Sequence, residues 1–411
     1  MDFKKTFVCF EPEYVKKFRC DGRKCNAKCC RGWQVDIDRH THEKYKTIPD
    51  QDMRSKILDS LYWNEPTNTY RMKLDRTSCP MLRDDLMCSI QKTYGEEFLS
   101  NTCSEFPRRV FVIDDFVERS LSMTCPVAAE LALLNPSPMK FGYVKLKTTR
   151  AACFFYRSNH EMPARKFLAQ LQKISIDVLQ DRRLMINQRL KALAIMMSEL
   201  DGLILNGKEK QLELVPQVYR TDGYFQSLMA KSKTIPFDLP RYTMKMFGLL
   251  ARLGEKAIVY YSPTQRVFST YPVEAFASEA QPIKTWNQLS VVYERNIAAY
   301  KEYVLEPFGH VIENYLVHSF FAGIYPCHAP VTLLNNYFLF LTLFKLFEFG
   351  LISMAEVLKD KFTLDDLLEF IERFANRVDH ASLFTQITLD VISGEVSDPN
   401  AFLSGLTDDR I

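Results

Sequence analysis

Four cysteines fall within eleven residues, Cys20-Asp-Gly-Arg-Lys-Cys25-Asn-Ala-Lys-Cys29-Cys30, and no other stretch constrains this chain as strongly. The residues between them are small, polar or basic and favour turns, so several sulfurs can meet at one point without a long loop having to close. Cys79, Cys88, Cys103 and Cys125 follow, which puts eight of the eleven cysteines in about a quarter of the chain.

Thiolates bind soft or borderline metals, and four suffice for a tetrahedral zinc or a cubane iron–sulfur cluster. Eight exceed the need of one site, so spacing leaves open two sites, or one site with thiols packed beside it. Zinc folds usually set paired cysteines two residues apart. The gaps here are four, three and zero residues, then eight between Cys79 and Cys88, and that irregularity points toward iron–sulfur. Successive side chains of an extended backbone face opposite ways, which makes one of Cys29 and Cys30 a candidate bystander. Cys9, Cys153 and Cys327 lie outside the array and read as ordinary residues.

The first residues, Met1-Asp-Phe-Lys-Lys-Thr-Phe, lead to Glu11 and Pro12 and not to an apolar run with a cleavage site, so a cytoplasmic protein is expected. Thiols stay reduced there, which favours metal binding over a disulfide framework. A net charge of +3 calls for neither a nucleic-acid nor a membrane partner. Residues 140–210 carry fourteen Lys/Arg against six Asp/Glu, and residues 348–411 five against thirteen; solvated faces are the plain reading of both. The longest apolar run, Val331 to Met354, contains Asn335, Asn336, Lys345 and Glu348, groups that are costly in lipid, so it predicts a buried helix.

The expected fold is mainly α: a small irregular α+β cysteine-rich domain over 1–135, packed on a larger helical domain over 139–411, with Asn135-Pro-Ser-Pro138 as linker. In the first part, Glu13 to Phe18 reads as a short helix after Pro12, Tyr70 to Leu74 as a strand, Ser89 to Asn101 as a helix, and Arg109 to Ile113 with Phe116 to Met123 as a hairpin. Each of the last four thiols would then stand at the end of an element. Helical periodicity runs over Ala164 to Asn206 with breaks, Leu239 to Leu253, Ile283 to Ile324 with a break at Pro307, Thr332 to Met354, Leu364 to Val378 and Ser382 to Ile392, and 212–240 reads as irregular. Thr363-Leu-Asp-Asp366 is a helix start with first-turn acids.

The thiols and their neighbours resemble a known family. Cys20, Cys25, Cys29-Cys30, Cys79-Pro-Met-Leu, Cys88-Ser-Ile, Cys103 and Cys125-Pro look like the signature of the bacterial zinc- or iron-chelating domain. The wider frame resembles flagellin lysine-N-methylase: Pro12 to Phe18, Cys30-Arg-Gly-Trp33, Asp36-Ile-Asp38, Leu99 to Cys103, Phe106-Pro-Arg108 and Glu118 to Pro126. That resemblance covers about residues 11–132. It implies methyl transfer from S-adenosylmethionine to lysine ε-amines of flagellin, with an iron–sulfur cluster (4Fe-4S, or zinc as the alternative) held by Cys20, Cys25, Cys29, Cys30, Cys79, Cys88, Cys103 and Cys125. Ser104 stands where the family pattern has a basic residue.

No catalytic base can be assigned from the residues. Gly248 to Gly254 lies in a helix and forms no nucleotide-binding turn. Asn335-Asn-Tyr-Phe338 is similar to the loop of amino-methylating enzymes only faintly, and core packing accounts for it better. Glu118 and Arg119 could pair with each other or with substrate; His310 and His318 read as packed histidines. The radical-enzyme spacing of three cysteines is absent. The competing readings are a metal-dependent binding module without catalysis and an iron or redox sensor.

Overall fold

The computed structural model describes residues 5–32, 34–113, 116–148, 154–156, 167–214, 223–224, 242–243, 246, 286–379 and 382–395. Trp33, Cys153 and Gly248 to Gly254 lie outside them, as do most of the expected helix 239–253 and of the irregular stretch 212–240. The chain forms two compact units, Met1–Leu131 with Lys140–Arg157, and Ala132–Met139 with Ser158–Ile411.

In the first unit a five-stranded sheet runs β7-β1-β6-β5-β8. Its strands are β1 (Lys5–Pro12), β5 (Arg108–Ile113), β6 (Phe116–Leu121), β7 (Phe141–Thr148) and β8 (Phe154–Tyr156). The expected hairpin is the pair β5 and β6, in register from Arg108 opposite Leu121 to Ile113 opposite Phe116. β1 lies inside the sheet, antiparallel to β7 along its whole length and parallel to β6 at Cys9 and Phe10. Cys9 is fully buried there with Val110 and Val117. The sequence reading missed β1, and it expected helix after the 135–138 linker where β7 and β8 return to complete the sheet. Strand pairing joins residues more than 100 positions apart here, so no local window shows it.

A second sheet, β2-β4-β3, consists of Asp36–Ile37, Thr69–Met72 and Leu61–Asn64. It packs with α2 (Arg39–Lys46) and α3 (Gln51–Asp59) around Ile37, Tyr45, Ile57, Leu61 and Met72, and Cys79 and Cys88 lie at the edge of this core. Asp38 and Asp50 cap the two helices by accepting from Thr41 N and Met53 N, which satisfies a donor that the helix itself cannot pair. Between these parts run α1 (Tyr14–Lys17), α4 (Ser89–Tyr94) and α5 (Asn101–Glu105). The helix expected over 89–101 breaks at Gly95, whose φ of +86° ends α4.

α6 (Pro126–Leu133) precedes β7, and beyond β8 the described elements are helical, with α7 (Leu168–Leu179), α8 (Ile186–Leu205), α9 (Trp286–Tyr300), α10 (Glu306–Ala322), α11 (Leu333–Leu358), α12 (Leu364–Asp379) and α13 (Ser382–Glu395). The break expected at Pro307 is a π-helical turn, Lys301–Leu305, followed by Phe308 outside helical dihedrals. α11 is long and apolar enough to cross a membrane by length and composition, yet 94% of its most apolar window is buried inside the protein. Its polar residues explain that placement. Lys345 meets Glu348 at 2.6 Å and Asn187 at 3.1 Å. Asn336 donates to Ala329 O, Val331 O and Thr332 O and accepts from Ala329 N, pinning the loop before the helix. Asp201 accepts from Leu333 N and Leu334 N, both at 2.9 Å, at the helix start.

Candidate metal centre

The turns expected between the first four thiols are present. Ala27 N donates to Gly22 O at 2.7 Å, and Asn26 and Ala27 take φ of 53° and 50° to reverse the chain into a single 3-10 turn, Lys28–Cys30. Cys79 N donates to Cys30 O at 2.8 Å and Gly32 N to Thr77 O at 2.7 Å, which sets Cys79 beside Cys30. The segment from Cys79 to Cys88 closes as a knuckle through a bridge between Leu82 and Cys88, and through Ser89 N and Oγ donating to Met81 O. Ser100 caps α5 by accepting from Cys103 N, so Cys103 lies inside that short helix and not at its end. Cys125 N donates to Ser122 O where the chain leaves β6.

These local structures bring Cys20, Cys25, Cys29, Cys30, Cys88, Cys103 and Cys125 onto the wall of one cavity of about 260 Å³. Cys79, the eighth thiol, is off that wall but within electrostatic reach of Cys88 and Cys29. Cys29 and Cys30 both line the cavity. A 3-10 turn sets successive side chains about a third of a turn apart, where an extended strand sets them on opposite faces.

The cavity also has residues the cysteine spacing did not reveal. Arg19, Glu96 and Arg108 are on its wall with the apolar side chains of Phe18, Leu99 and Phe106. Arg108 lies over the Phe18 ring at 5.3 Å and donates to Ser104 O at 3.1 Å. Ser104 itself is buried and bonds Asn101 O. A guanidinium therefore reaches the backbone at 104, the position that lacks the expected basic side chain; Phe106-Pro-Arg108 was the available signal.

Burial pushes most of these thiols above the ordinary value of 9: Cys20 and Cys79 to about 11, Cys103 and Cys125 to about 12, with Cys25 and Cys88 also raised. The adjoining Cys30 side chain holds Cys29 down to about 7, and Cys29 with burial pushes Cys30 up. Crowded, poorly hydrated thiols resist ionising together, and a bound cation reverses that by stabilising thiolates.

Among the described residues no three His, Cys, Asp or Glu side chains converge tightly enough, as placed, to grip a single metal ion. A zinc ion needs four sulfurs about 2.3 Å from one point. An iron–sulfur cluster instead takes one thiolate at each iron around a larger body, and a cavity ringed by sulfur fits that donor set.

His318, Cys327, Asn336 and Tyr337, expected as ordinary packed residues, are buried. Arg119 pairs with Glu11 at 2.6 Å and not with Glu118; both carboxylates are buried. His318 is buried on α10, and Cys327 is buried outside the cavity. Asn336 and Tyr337, whose hydroxyl donates to Leu190 O at 2.7 Å, belong to the packing of α11.

The fold and this cavity define a class: a two-unit protein in which an α+β unit carries a thiol-lined cavity and a second unit is helical. Residues 172–404 match the FliB lysine N-methylase C-terminal domain. The chain is 34% identical to the flagellar biosynthetic protein FliU of Salmonella muenchen over 145 residues, 34% of this chain and 86% of that protein. It is also 34% identical to lysine-N-methylases of Salmonella typhimurium and Salmonella choleraesuis, each over 139 residues, 33% of this chain and 35% of theirs. The aligned part thus spans about a third of the length of those two methylases. No solved structure matches. The chain belongs to the FliB lysine N-methylase family.

Proposed function

We propose that this protein is a protein-lysine N-methyltransferase that moves methyl groups from S-adenosylmethionine to lysine ε-amines of flagellin in the cytoplasm, with an iron–sulfur cluster in the thiol cavity. The observation that carries the transferase reading is the family match over 172–404, more than half of the chain. The flagellar name of one relative and the methylase names of two others support the substrate. The sulfur-lined cavity supports the cluster.

The transfer needs a neutral amine, because the ammonium has no lone pair. The amine nitrogen takes the methyl carbon, the carbon–sulfur bond breaks with its electron pair passing to sulfur, and the methylated ammonium then loses a proton to solvent or base. Bound in the cavity, a cluster would be held by four thiolates drawn from Cys20, Cys25, Cys29, Cys30, Cys88, Cys103 and Cys125, and its positive charge would favour their ionised form. Arg108 and Arg19 add fixed positive charge on the same wall.

The test uses the intact protein purified without oxygen, mixed with flagellin and S-adenosylmethionine. Flagellin peptides gaining methyl groups on lysine is the expected result. Holo-protein of full iron content that leaves flagellin mass unchanged would remove the transferase reading.

A further inference from the structure

We propose that the outer edge of β7 captures an extended acidic segment of the protein substrate as a sixth strand of the larger sheet. The proposal rests on the reading that the substrate is a protein, and assigns the place on this chain where it docks.

β7 ends the strand order, and among the described residues only β1 pairs with it. Which of its backbone groups face outward follows from β1. Glu13 N donates to Lys140 O at 2.9 Å, and Pro12, opposite Phe141, has no N–H to give. Antiparallel pairs alternate between bonded and non-bonded. Lys140, Gly142, Val144 and Leu146 therefore bond to β1, while Phe141, Tyr143, Lys145 and Lys147 turn their N–H and C=O groups away from it. Such a row of outward groups is a template on which another strand can pair.

Composition selects the occupant. Residues 140–148 hold three lysines and no Asp or Glu, and open the basic stretch 140–210. Lys140 and Lys145 are exposed, and neither side chain has an acidic partner among the described residues. Tyr143 is 65% exposed and Val8 61%, and Tyr143 lies 4.9 Å from the Phe10 ring. Val8 is opposite Lys145 and Phe10 opposite Tyr143, so these four side chains share one face of the sheet. An incoming strand sets its own side chains directly across from Tyr143 and Lys145, where an acid is attracted and a lysine repelled. A second copy of this chain would lay one lysine-rich β7 against another, which disfavours self-pairing and leaves the edge to an acidic segment. Lysines also guard edges that bind nothing. A merely guarded edge has no need of exposed Val8 and Tyr143, which give a visiting strand apolar surface to cover.

The experiment titrates the intact protein against a fluorescent peptide of about ten alternating Val and Glu residues, long enough to span β7, and reads anisotropy. A peptide of alternating Val and Lys is the control. The wild type should bind the first and not the second. Lys145→Glu should weaken the acidic peptide about fivefold or more and admit the basic one. Lys145→Pro removes an outward N–H without touching the bonds to β1, so the strand stays in the sheet and the acidic peptide should weaken about tenfold. Circular dichroism checks both folds. With flagellin as substrate the same two variants should raise KM about fivefold and leave kcat within about twofold of wild type. A wild type that binds neither peptide, or binds both alike, overturns the proposal, and so does a folded Lys145→Glu that binds like wild type. A variant that loses the peptide but keeps its flagellin KM overturns it too. A wild type that leaves flagellin unmethylated removes the transferase reading, and the two peptides then decide the edge by themselves.

Discussion

Replacing Lys345 by Met tests why the most membrane-like helix of this chain is an interior element. Lys345 and Glu348 are 0% and 3% exposed and 2.6 Å apart. At an effective dielectric constant of about 20, Coulomb's law gives that pair roughly 6 kcal/mol of gross attraction, part of which offsets the cost of removing both charges from water. Deleting the cation leaves a buried carboxylate with its partner gone, a change that costs about 3–5 kcal/mol. For a unit of this size that is a fall of roughly 6–20 °C in Tm. K345M/E348L, which removes both charges and keeps the volume, should recover most of the loss and can end neutral or stabilised. Urea melts of the wild type, both single variants and the double variant complete the cycle. A K345M protein within about 1 kcal/mol of wild type would refute the argument, because the helix would then not owe its position in the interior to a satisfied ion pair.

The remaining predictions concern the first unit. Replacing Cys25 and Cys29 together with Ser should abolish most bound iron and the accompanying colour near 400 nm, whereas C327A, altering a buried thiol outside the cavity, should leave both unchanged; metal analysis and the absorption spectrum check this. Gly22→Ala should lose iron as well, because a Cβ there would stand 2.0 Å from Leu86 O, and the backbone carrying the Cys25 turn would have to move. Asp38 gives a pH dependence. Burial works against its charge, but the N–H and hydroxyl of Thr41 and the N–H of Asn101 outweigh burial and hold its carboxyl below the ordinary 3.8. A depressed folded value contributes stability that is fully present above 3.8 and is lost as pH falls through the folded value. D38A should therefore cost about 1–2 kcal/mol at neutral pH, and its urea midpoint should fall less than that of the wild type on acidification; parallel pH profiles would count against this account.

What the sequence disclosed followed the range of the forces involved. The helical unit was legible because its signals are local: periodic apolar residues, Thr332 accepting from Asn335 N, and Thr363 exchanging hydrogen bonds with Asp366. The β5 and β6 hairpin was legible for the same reason. β1 was not, since its partners are Val117 and residues 141–148, and nothing in residues 5–12 alone names them. Nor could the linker at 135–138 show that the chain crosses back into the first unit at residue 140.

The cavity shows the same division within a few residues. Which thiols belong together was visible as clustering, while the conformation of residues 28–30 was not, and the extended backbone assumed for Cys29 and Cys30 gave the wrong geometry. The two left-handed residues before the turn decide it: with Asn26 and Ala27 at φ near 50° the chain tightens into a 3-10 turn and points both sulfurs inward. Ala at positive φ is strained, so the protein accepts a local cost at Ala27 to hold that arrangement. A27G relieves the strain and keeps the turn, and it should retain full metal content. A27V, adding a β-branch at the same dihedral, should not. Equal metal content in A27G and A27V would mean that the turn conformation does not set the thiol geometry, and that the sulfurs find their metal whatever the backbone beneath them does.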